Sequence, residues 1–347
     1  MAYNRPPMKG LSRGKRIAFA AAAVILALAV TVALLGTTDV LLRRHYADSV
    51  GLNRWGYRGA IVGAKRADER RVVVVGGSTA FGYGVPPADS IPAQLEERLR
   101  ARRATPVTVV NLGYVKDGAW SFRQTLADYA YLGYDLALLY EGYNDLRRPN
   151  VRAFRHDSPV FRLTGYLPFL PLVLSEKARA IRYGGDLGER YGREDPVFRP
   201  DRGDRATAAA FKAAAEVTRS LENVLGPLSR DAVTRELPIA PGDVCAEPFR
   251  HYCEGMRAGI DEALARGARV LVVTQPYVSD THVAQQRHLA AMLRARYPSE
   301  PRVAYLDLGS AVDLRDRALA FDGMHLTRRG NALVADGLAG PVSKLLD

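Results

Sequence analysis

The sequence predicts an α/β fold, a three-layer α/β/α sandwich on a parallel sheet of about five strands, preceded by an N-terminal transmembrane helix. Short apolar runs alternate with amphipathic segments of helical spacing, which is typical of a parallel sheet covered on both faces. One long uncharged run stands near the N-terminus. With 347 residues and 48% hydrophobic content, the chain can bury a large core.

The uncharged run covers residues 17–38 and consists mostly of alanine, valine, leucine and isoleucine. Its length suits a hydrocarbon core about 30 Å thick, whereas the apolar part of a cleaved signal peptide has only about 7–15 residues. We therefore predict a transmembrane signal-anchor at 17–38, rather than a cleaved signal or a buried core helix.

The basic residues around this run predict its orientation. Five of them and no acid lie within residues 1–16, and three follow the run, namely Arg43, Arg44 and Arg54. Because positive residues favour the cytoplasmic side, we expect a cytoplasmic N-terminus and an extracytoplasmic remainder.

The net charge of +12 owes much to this N-terminus, and no basic stripe is interleaved with aromatic residues. We therefore expect no nucleic-acid partner.

The chain has two cysteines, Cys245 and Cys253. They either close a small disulfide loop, which persists in an oxidising compartment, or remain two unrelated buried thiols. They do not predict a metal site, because no second pair of ligands accompanies them at suitable spacing.

The elements follow in order after the run. A polar, basic linker at 39–70 leads to one domain at 71–347, which begins with the strand RVVVVG. Next come the helix DSIPAQLEERLRARR, the strand VTVVNLG, the helix SFRQTLADYAYLG and the strand DLALLYEGYND. From residue 250 the order is the helix RHYCEGMRAGIDEALARG, the strand ARVLVVTQPY, the helix HVAQQRHLAAMLRARY, the strand RVAYLDLG and the closing helix RRGNALVADGLAGPVSKLLD.

An insertion at about 146–205 interrupts this alternation, and an alanine-rich helix, RATAAAFKAAAEVTRSLENVLG, follows it. The apolar stretch of the insertion, LTGYLPFLPLVL, is too short and too broken by proline to span a membrane. The insertion could be a lid, a substrate wall, a membrane-resting surface, or only a loop packed on the body of the domain.

Four polar segments lie where strands of the predicted sheet end. Ser78 follows the first strand, Gly113 the second and Asn144 the third, while Asp322 and His325 lie in the last loop, LAFDGMHLT. Because sites in an open parallel sheet form outside the carboxyl ends of the strands, we expect these segments to meet.

Together these residues supply what serine ester hydrolysis needs. A serine hydroxyl is a weak nucleophile unless an imidazole, here His325, takes its proton, and Asp322 would orient that imidazole. The oxyanion formed on attack needs donors, which the backbone N–H groups of Ser78 and Gly113 and the side-chain amide of Asn144 would supply.

The four segments resemble the sequence blocks of the SGNH, or GDSL-type, hydrolases. The blocks read VVVVGGSTAFGYGV, VVNLGY, YEGYND and FDGMHLTRRGNALVADGL, and they place Ser78 as nucleophile, Gly113 and Asn144 as oxyanion donors, and Asp322 and His325 as the rest of the triad. The resemblance covers residues 72–145 and 250–345. It implies a flavodoxin-like three-layer fold and ester hydrolysis without a metal or cofactor.

One residue departs from the name-giving motif, since Gly77 stands where aspartate precedes the serine. Other uses of this turn are disfavoured. Gly77 and Gly82 have the spacing of a phosphate-binding loop, but Tyr83 stands where that loop needs lysine. A dinucleotide-binding Gly-x-Gly-x-x-Gly pattern does not fit GGSTAFGYG either.

The sequence thus predicts a membrane-anchored serine esterase that uses an acyl-serine intermediate. Its expected substrate is a small acyl ester or an acylated polysaccharide. The predicted extracytoplasmic location and the resemblance to SGNH-type hydrolases favour O-acetyl groups on an envelope carbohydrate. The alternatives are an acyltransferase that acts on polysaccharide, a lipase or lysophospholipase at the membrane, and a catalytically inactive binding module.

Overall fold

A computed structural model describes residues 12–146, 155–174 and 245–347. Three features predicted from the sequence lie wholly or partly outside these ranges. They are the basic N-terminus at 1–16, most of the insertion at 146–205 and the alanine-rich helix.

The sheet has five parallel strands in the order β2-β1-β3-β4-β5. The strands are β1 (Arg70–Gly76), β2 (Val107–Asn111), β3 (Leu136–Tyr140), β4 (Arg269–Val273) and β5 (Val303–Leu306). This is the strand order of flavodoxin-like folds. In these folds the chain first adds strands on one side of β1 and then, from β3 onward, on the other side, so the switch point lies between β1 and β3. The predicted fold class is confirmed.

Helices cover both faces of this sheet. The described helices are α1 (Arg13–His45), α2 (Ser78–Phe81), α3 (Ile91–Arg102), α4 (Phe122–Asp128), α5 (Pro159–Thr164), α6 (Arg250–Ala265), α7 (Asp280–Arg296) and α8 (Arg328–Leu346). Of these, α3 and α8 cover one face of the sheet, and α4, α6 and α7 cover the other. Alternate side chains of β1 explain the layers: Val72 and Val74 pack with α3 and α8, while Val73 and Val75 pack with α4, α6 and α7.

The predicted helix SFRQTLADYAYLG forms α4 between two short 3₁₀ turns, Ala119–Ser121 and Ala130–Leu132. Gly133, with φ of 61°, ends the last turn in the left-handed conformation. Two further 3₁₀ turns are Pro87–Asp89 and Tyr143–Asp145.

Helix α1 contains the predicted span 17–38 and extends beyond it at both ends. Among the described residues it is the one helix whose length and apolar composition would suit a membrane crossing, and none of its most apolar window is buried. It continues past residue 38 because its last turns pack on the domain, where Asp39 is buried.

The segment predicted as a linker, 39–70, also packs on the domain. Arg58 is buried in it and donates hydrogen bonds to five backbone carbonyls. Two of these belong to Phe81 and Gly82, at the end of α2. The segment therefore supports the turn that carries Ser78, a role that its polar composition does not reveal.

Candidate active site

The first strand delivers Ser78 to the carboxyl edge of the sheet. β1 ends at Gly76, and Ser78 begins the short helix α2 with its side chain half-buried. Gly82, with φ of 81°, ends this helix and donates its N–H to the Ser78 carbonyl oxygen. The serine hydroxyl is thus held on a closed turn outside the strand.

His325 and Asp322 meet Ser78 from the last loop. The Nε2 atom of His325 lies 2.8 Å from Ser78 Oγ, and its Nδ1 atom lies 2.6 Å from Asp322 Oδ2. The other carboxylate oxygen of Asp322 accepts the backbone N–H of His325 at 2.7 Å. Gly323, with φ of 79°, lets the loop turn tightly enough for this contact.

The surroundings favour an ionised Asp322. Burial opposes ionisation, but hydrogen bonds from the ring and backbone of His325 and from the Met324 N–H outweigh it, so the pKa of Asp322 is lowered. The rings of Phe321 and Tyr83 flank the imidazole, with centroids 5.9 and 5.1 Å away. This environment holds a charged acceptor behind a buried imidazole, as a general base requires.

Two of the three predicted oxyanion donors, Asn144 and Gly113, already donate hydrogen bonds within the protein. Asn144 lies in the 3₁₀ turn after β3, where its side-chain amide donates to the Asp117 carbonyl oxygen at 2.7 Å, one of the two N–H bonds it can make. The Gly113 N–H donates to Asn111 Oδ1 at 3.0 Å. Gly113 must therefore release or share that bond to serve as a donor.

Glycine at position 113 has a packing reason. A Cβ atom there would lie 2.5 Å from the backbone nitrogen of Phe81 and 2.8 Å from the carbonyl carbon of Ala80. The loop after β2 thus packs directly on α2, and this packing requires glycine at position 113.

Glu141 is a buried residue beneath the site that sequence reasoning did not include in it. One carboxylate oxygen, Oε1, accepts the backbone N–H groups of Gly142 and Asn144, at 2.9 and 3.1 Å. Burial and the charge of Asp145 raise the pKa of Glu141 to about 8, against the effect of backbone N–H donors. Glu141 therefore holds the turn that carries Asn144.

The same residue explains the departure at Gly77. A Cβ at position 77 would lie 2.9 Å from the Asp117 carbonyl oxygen, and closer still to Asn144 Nδ2 and Glu141 Oε2. The space that a side chain would need before the serine is thus filled by Glu141 and Asn144, so glycine fits where aspartate would not.

Gln275, just after β4, joins two of the loops. Its Nε2 donates to Thr79 Oγ1 at 2.5 Å, and its Oε1 accepts the Tyr143 N–H at 3.1 Å. Thr79 follows Ser78, and Tyr143 precedes Asn144, so one buried amide fixes the nucleophile turn relative to the Asn144 turn. In the sequence, the one signal that could have identified Gln275 is its position just after a strand.

Arg155 supports the loop after β2 from below. It forms a buried ion pair with Asp117, 3.3 Å long, and donates to the Leu112 carbonyl oxygen at 2.7 Å.

Among the described residues, no group of three or more His, Cys, Asp or Glu side chains could hold a metal ion.

Comparison with known proteins gives distant structural matches. No family model and no curated protein matches the sequence. A lipolytic protein of the G-D-S-L family from Desulfitobacterium hafniense DCB-2 aligns at 13% identity and a TM-score of 0.41, over 79% of this chain and 98% of the other. An acetylxylan esterase from Geobacillus stearothermophilus aligns at 13% identity and a TM-score of 0.41, over 79% and 94%. A family 3 carbohydrate esterase from Clostridium thermocellum aligns at 10% identity and a TM-score of 0.44, over 80% and 97%.

These identities and TM-scores are low, so the roles of residues in this chain have to be inferred from its own contacts. The sheet order is flavodoxin-like, the four sequence blocks come in SGNH order, and Ser78, His325 and Asp322 are in hydrogen-bonding contact. In these respects the chain resembles the SGNH-type hydrolases.

Proposed function

We propose that this protein is a serine ester hydrolase whose triad is Ser78, His325 and Asp322. One observation carries the proposal: a single imidazole bridges the serine hydroxyl and a carboxylate, at 2.8 and 2.6 Å. That chain of contacts is what converts a weakly nucleophilic hydroxyl into an attacking group.

The reaction proceeds in two halves. Ser78 Oγ attacks the ester carbonyl carbon while its proton passes to His325 Nε2. The tetrahedral intermediate collapses, the alcohol leaves with that proton, and an acyl-Ser78 ester remains. His325 then takes a proton from water, the hydroxide attacks the acyl carbon, and the proton returns to Ser78 as the acid leaves.

The proposed donors to the oxyanion are the Ser78 N–H, the second N–H of the Asn144 amide and the Gly113 N–H. Asn144 is the best supported of them, since Asp117 and Glu141 hold its side chain and backbone in place. Donors fixed in advance in this way stabilise the developing charge without reorganising during the reaction.

We further propose that α1 anchors the enzyme in a membrane with its catalytic domain outside the cytoplasm. The basic N-terminus supports this orientation, and so does the disulfide between Cys245 and Cys253, since disulfides persist in oxidising compartments. An outward-facing anchored esterase meets envelope polymers, and O-acetyl groups on carbohydrate are the substrate that this location favours. A reporter fused after Asp347 tests the orientation, because activity in the cytoplasm would overturn it.

Hydrolysis of acetyl esters by the purified full chain tests the reaction. Ser78→Ala and His325→Ala should abolish turnover, while Ser310→Ala, at an exposed serine, should not change it. Full turnover by Ser78→Ala would refute the proposal.

Product analysis with and without a carbohydrate acceptor separates hydrolysis from acyl transfer. Release of acetate in both cases supports hydrolysis, and acetylated acceptor supports transfer. A series of esters with longer acyl chains tests the lipase alternative, because a strong preference for acetyl would exclude it.

A further inference from the structure

The end of α1 is built into the domain through Asp39, one residue beyond the apolar run 17–38. The Oδ1 atom of Asp39 accepts the backbone N–H groups of Phe169 and Leu170, at 2.5 and 2.7 Å. Its other oxygen accepts the Tyr166 hydroxyl. The segment after α5 therefore meets the helix at the level where the apolar run ends.

Arg43, one turn further along α1, strengthens the same junction. Its guanidinium donates to Asp39 at 3.1 Å and to the backbone oxygens of Asn53 and Leu167, both at 2.7 Å. It also lies over the Phe169 ring, 5.2 Å from its centroid. These contacts join α1, the segment around residue 53 and the segment around residue 167, so the orientation of the domain follows that of the helix.

Apolar side chains beside this junction point to solvent. In α5, Phe161 is buried in the core, whereas Leu163 is 86% exposed and Val160 is 45% exposed. Leu163 is three residues before Tyr166, so their Cα atoms are at most about 11 Å apart. The exposed residues of α5 are therefore close to the point where α1 leaves its apolar run.

The residues around them suit a membrane interface. Arg54 and Arg162 are exposed, and the Arg54 guanidinium lies 5.2 Å from the ring centroid of Trp55. The Trp55 ring lies against Gly165, at the end of α5. Tryptophan and basic residues beside exposed aliphatic side chains are typical of surfaces that rest on phospholipid headgroups.

We infer that Arg54, Trp55, Val160, Arg162 and Leu163, here called the α5 face, rest on the phospholipid bilayer that α1 crosses. The inference extends the proposed membrane anchoring and does not depend on the esterase reaction. The occupant is lipid rather than another protein because Asp39 and Arg43 hold this face beside the end of the apolar helix. Contact at the α5 face would set the domain's orientation on the membrane.

The test uses the full chain in nanodiscs of phosphatidylcholine and phosphatidylglycerol. Leu163→Cys is labelled with an environment-sensitive fluorophore, as are Val160→Cys and a control, Leu333→Cys. Leu333 is also exposed but lies on α8, across the sheet from the side on which α1 packs. The native cysteines form a disulfide and should not react.

We expect blue-shifted emission at positions 163 and 160, and quenching there by lipids that carry a nitroxide near the headgroup. Position 333 should show neither effect. Equal emission and equal quenching at 163, 160 and 333, in chains that elute with the nanodiscs, would overturn the inference. Failure of the chain to elute with the nanodiscs would overturn the anchoring and this inference together, while loss of ester hydrolysis alone would leave both standing.

Discussion

Replacement of Gly77 by alanine tests the packing beneath the proposed nucleophile. The backbone at Gly77 has φ of −83°, outside the left-handed region that favours glycine, so the expected cost is assigned to the contacts of the added Cβ. The added Cβ would lie 2.9 Å from the Asp117 carbonyl oxygen and nearer still to Asn144 Nδ2 and Glu141 Oε2.

The size of the effect follows from these contacts. Ordinary van der Waals separations begin near 3.5 Å, so the Asn144 amide must move by about 1 Å to admit the methyl group. A shift of that size, or loss of one oxyanion donor, costs about 10²–10³ in kcat, or about 2.7–4 kcal/mol. Overpacking costs about 1–3 kcal/mol of stability, which a domain of ordinary stability tolerates.

The assay is hydrolysis of an activated acetyl ester, with thermal unfolding measured on the same preparation. Gly77→Ala should lose most of its kcat with little change in KM, and should still unfold cooperatively. Gly63→Ala is the matched control, because a Cβ there has no neighbour within 4 Å. A kcat for Gly77→Ala within a factor of about two of wild type would refute the proposed role of Asn144.

Three further predictions concern other residues of the site. Asp322→Asn should keep the circular dichroism of the wild type and lose about 10⁴ in kcat, because the imidazole loses its orienting charge; unchanged turnover would exclude that role. Gln275→Ala, which removes the tie between Thr79 and Tyr143, should lower kcat by about tenfold to a hundredfold, and a purely structural role would instead lower only the unfolding temperature. Burial raises the folded-state pKa of Glu141 from 4.5 to about 8, so the folded chain keeps a proton that the unfolded chain releases. Stability should therefore fall by about 1.4 kcal/mol per pH unit as pH rises across that window. Glu141→Gln should flatten this slope in urea unfolding, and an unchanged slope would contradict the shifted pKa.

The sheet was predictable because buried parallel strands are short continuous apolar runs. Val72 to Val75 have no polar neighbour to alternate with, so the strand and its burial follow from composition. The proximity of Ser78 to the loop of Asp322 and His325 was predictable for a related reason, since Ser78 comes just after β1 and that loop lies between β5 and α8, and both strands end at the same edge of the sheet.

The supports beneath the site were not predictable in this way. The proximity of Glu141 to Gly77 depends on how two adjacent strands end, and no local pattern records it. The bond from Gly113 to Asn111 depends on a side-chain rotamer. Likewise, the burial of Asp39 needs a partner segment more than a hundred residues away, so the sequence alone placed it in a linker.

The most direct test of the central proposal is covalent labelling of the full chain with a fluorophosphonate, followed by mass spectrometry of its peptides. We predict one adduct, on Ser78, that is absent from Ser78→Ala and forms much more slowly in His325→Ala. An adduct on another residue, or equal labelling of Ser78→Ala, would contradict the assignment of Ser78 as the nucleophile.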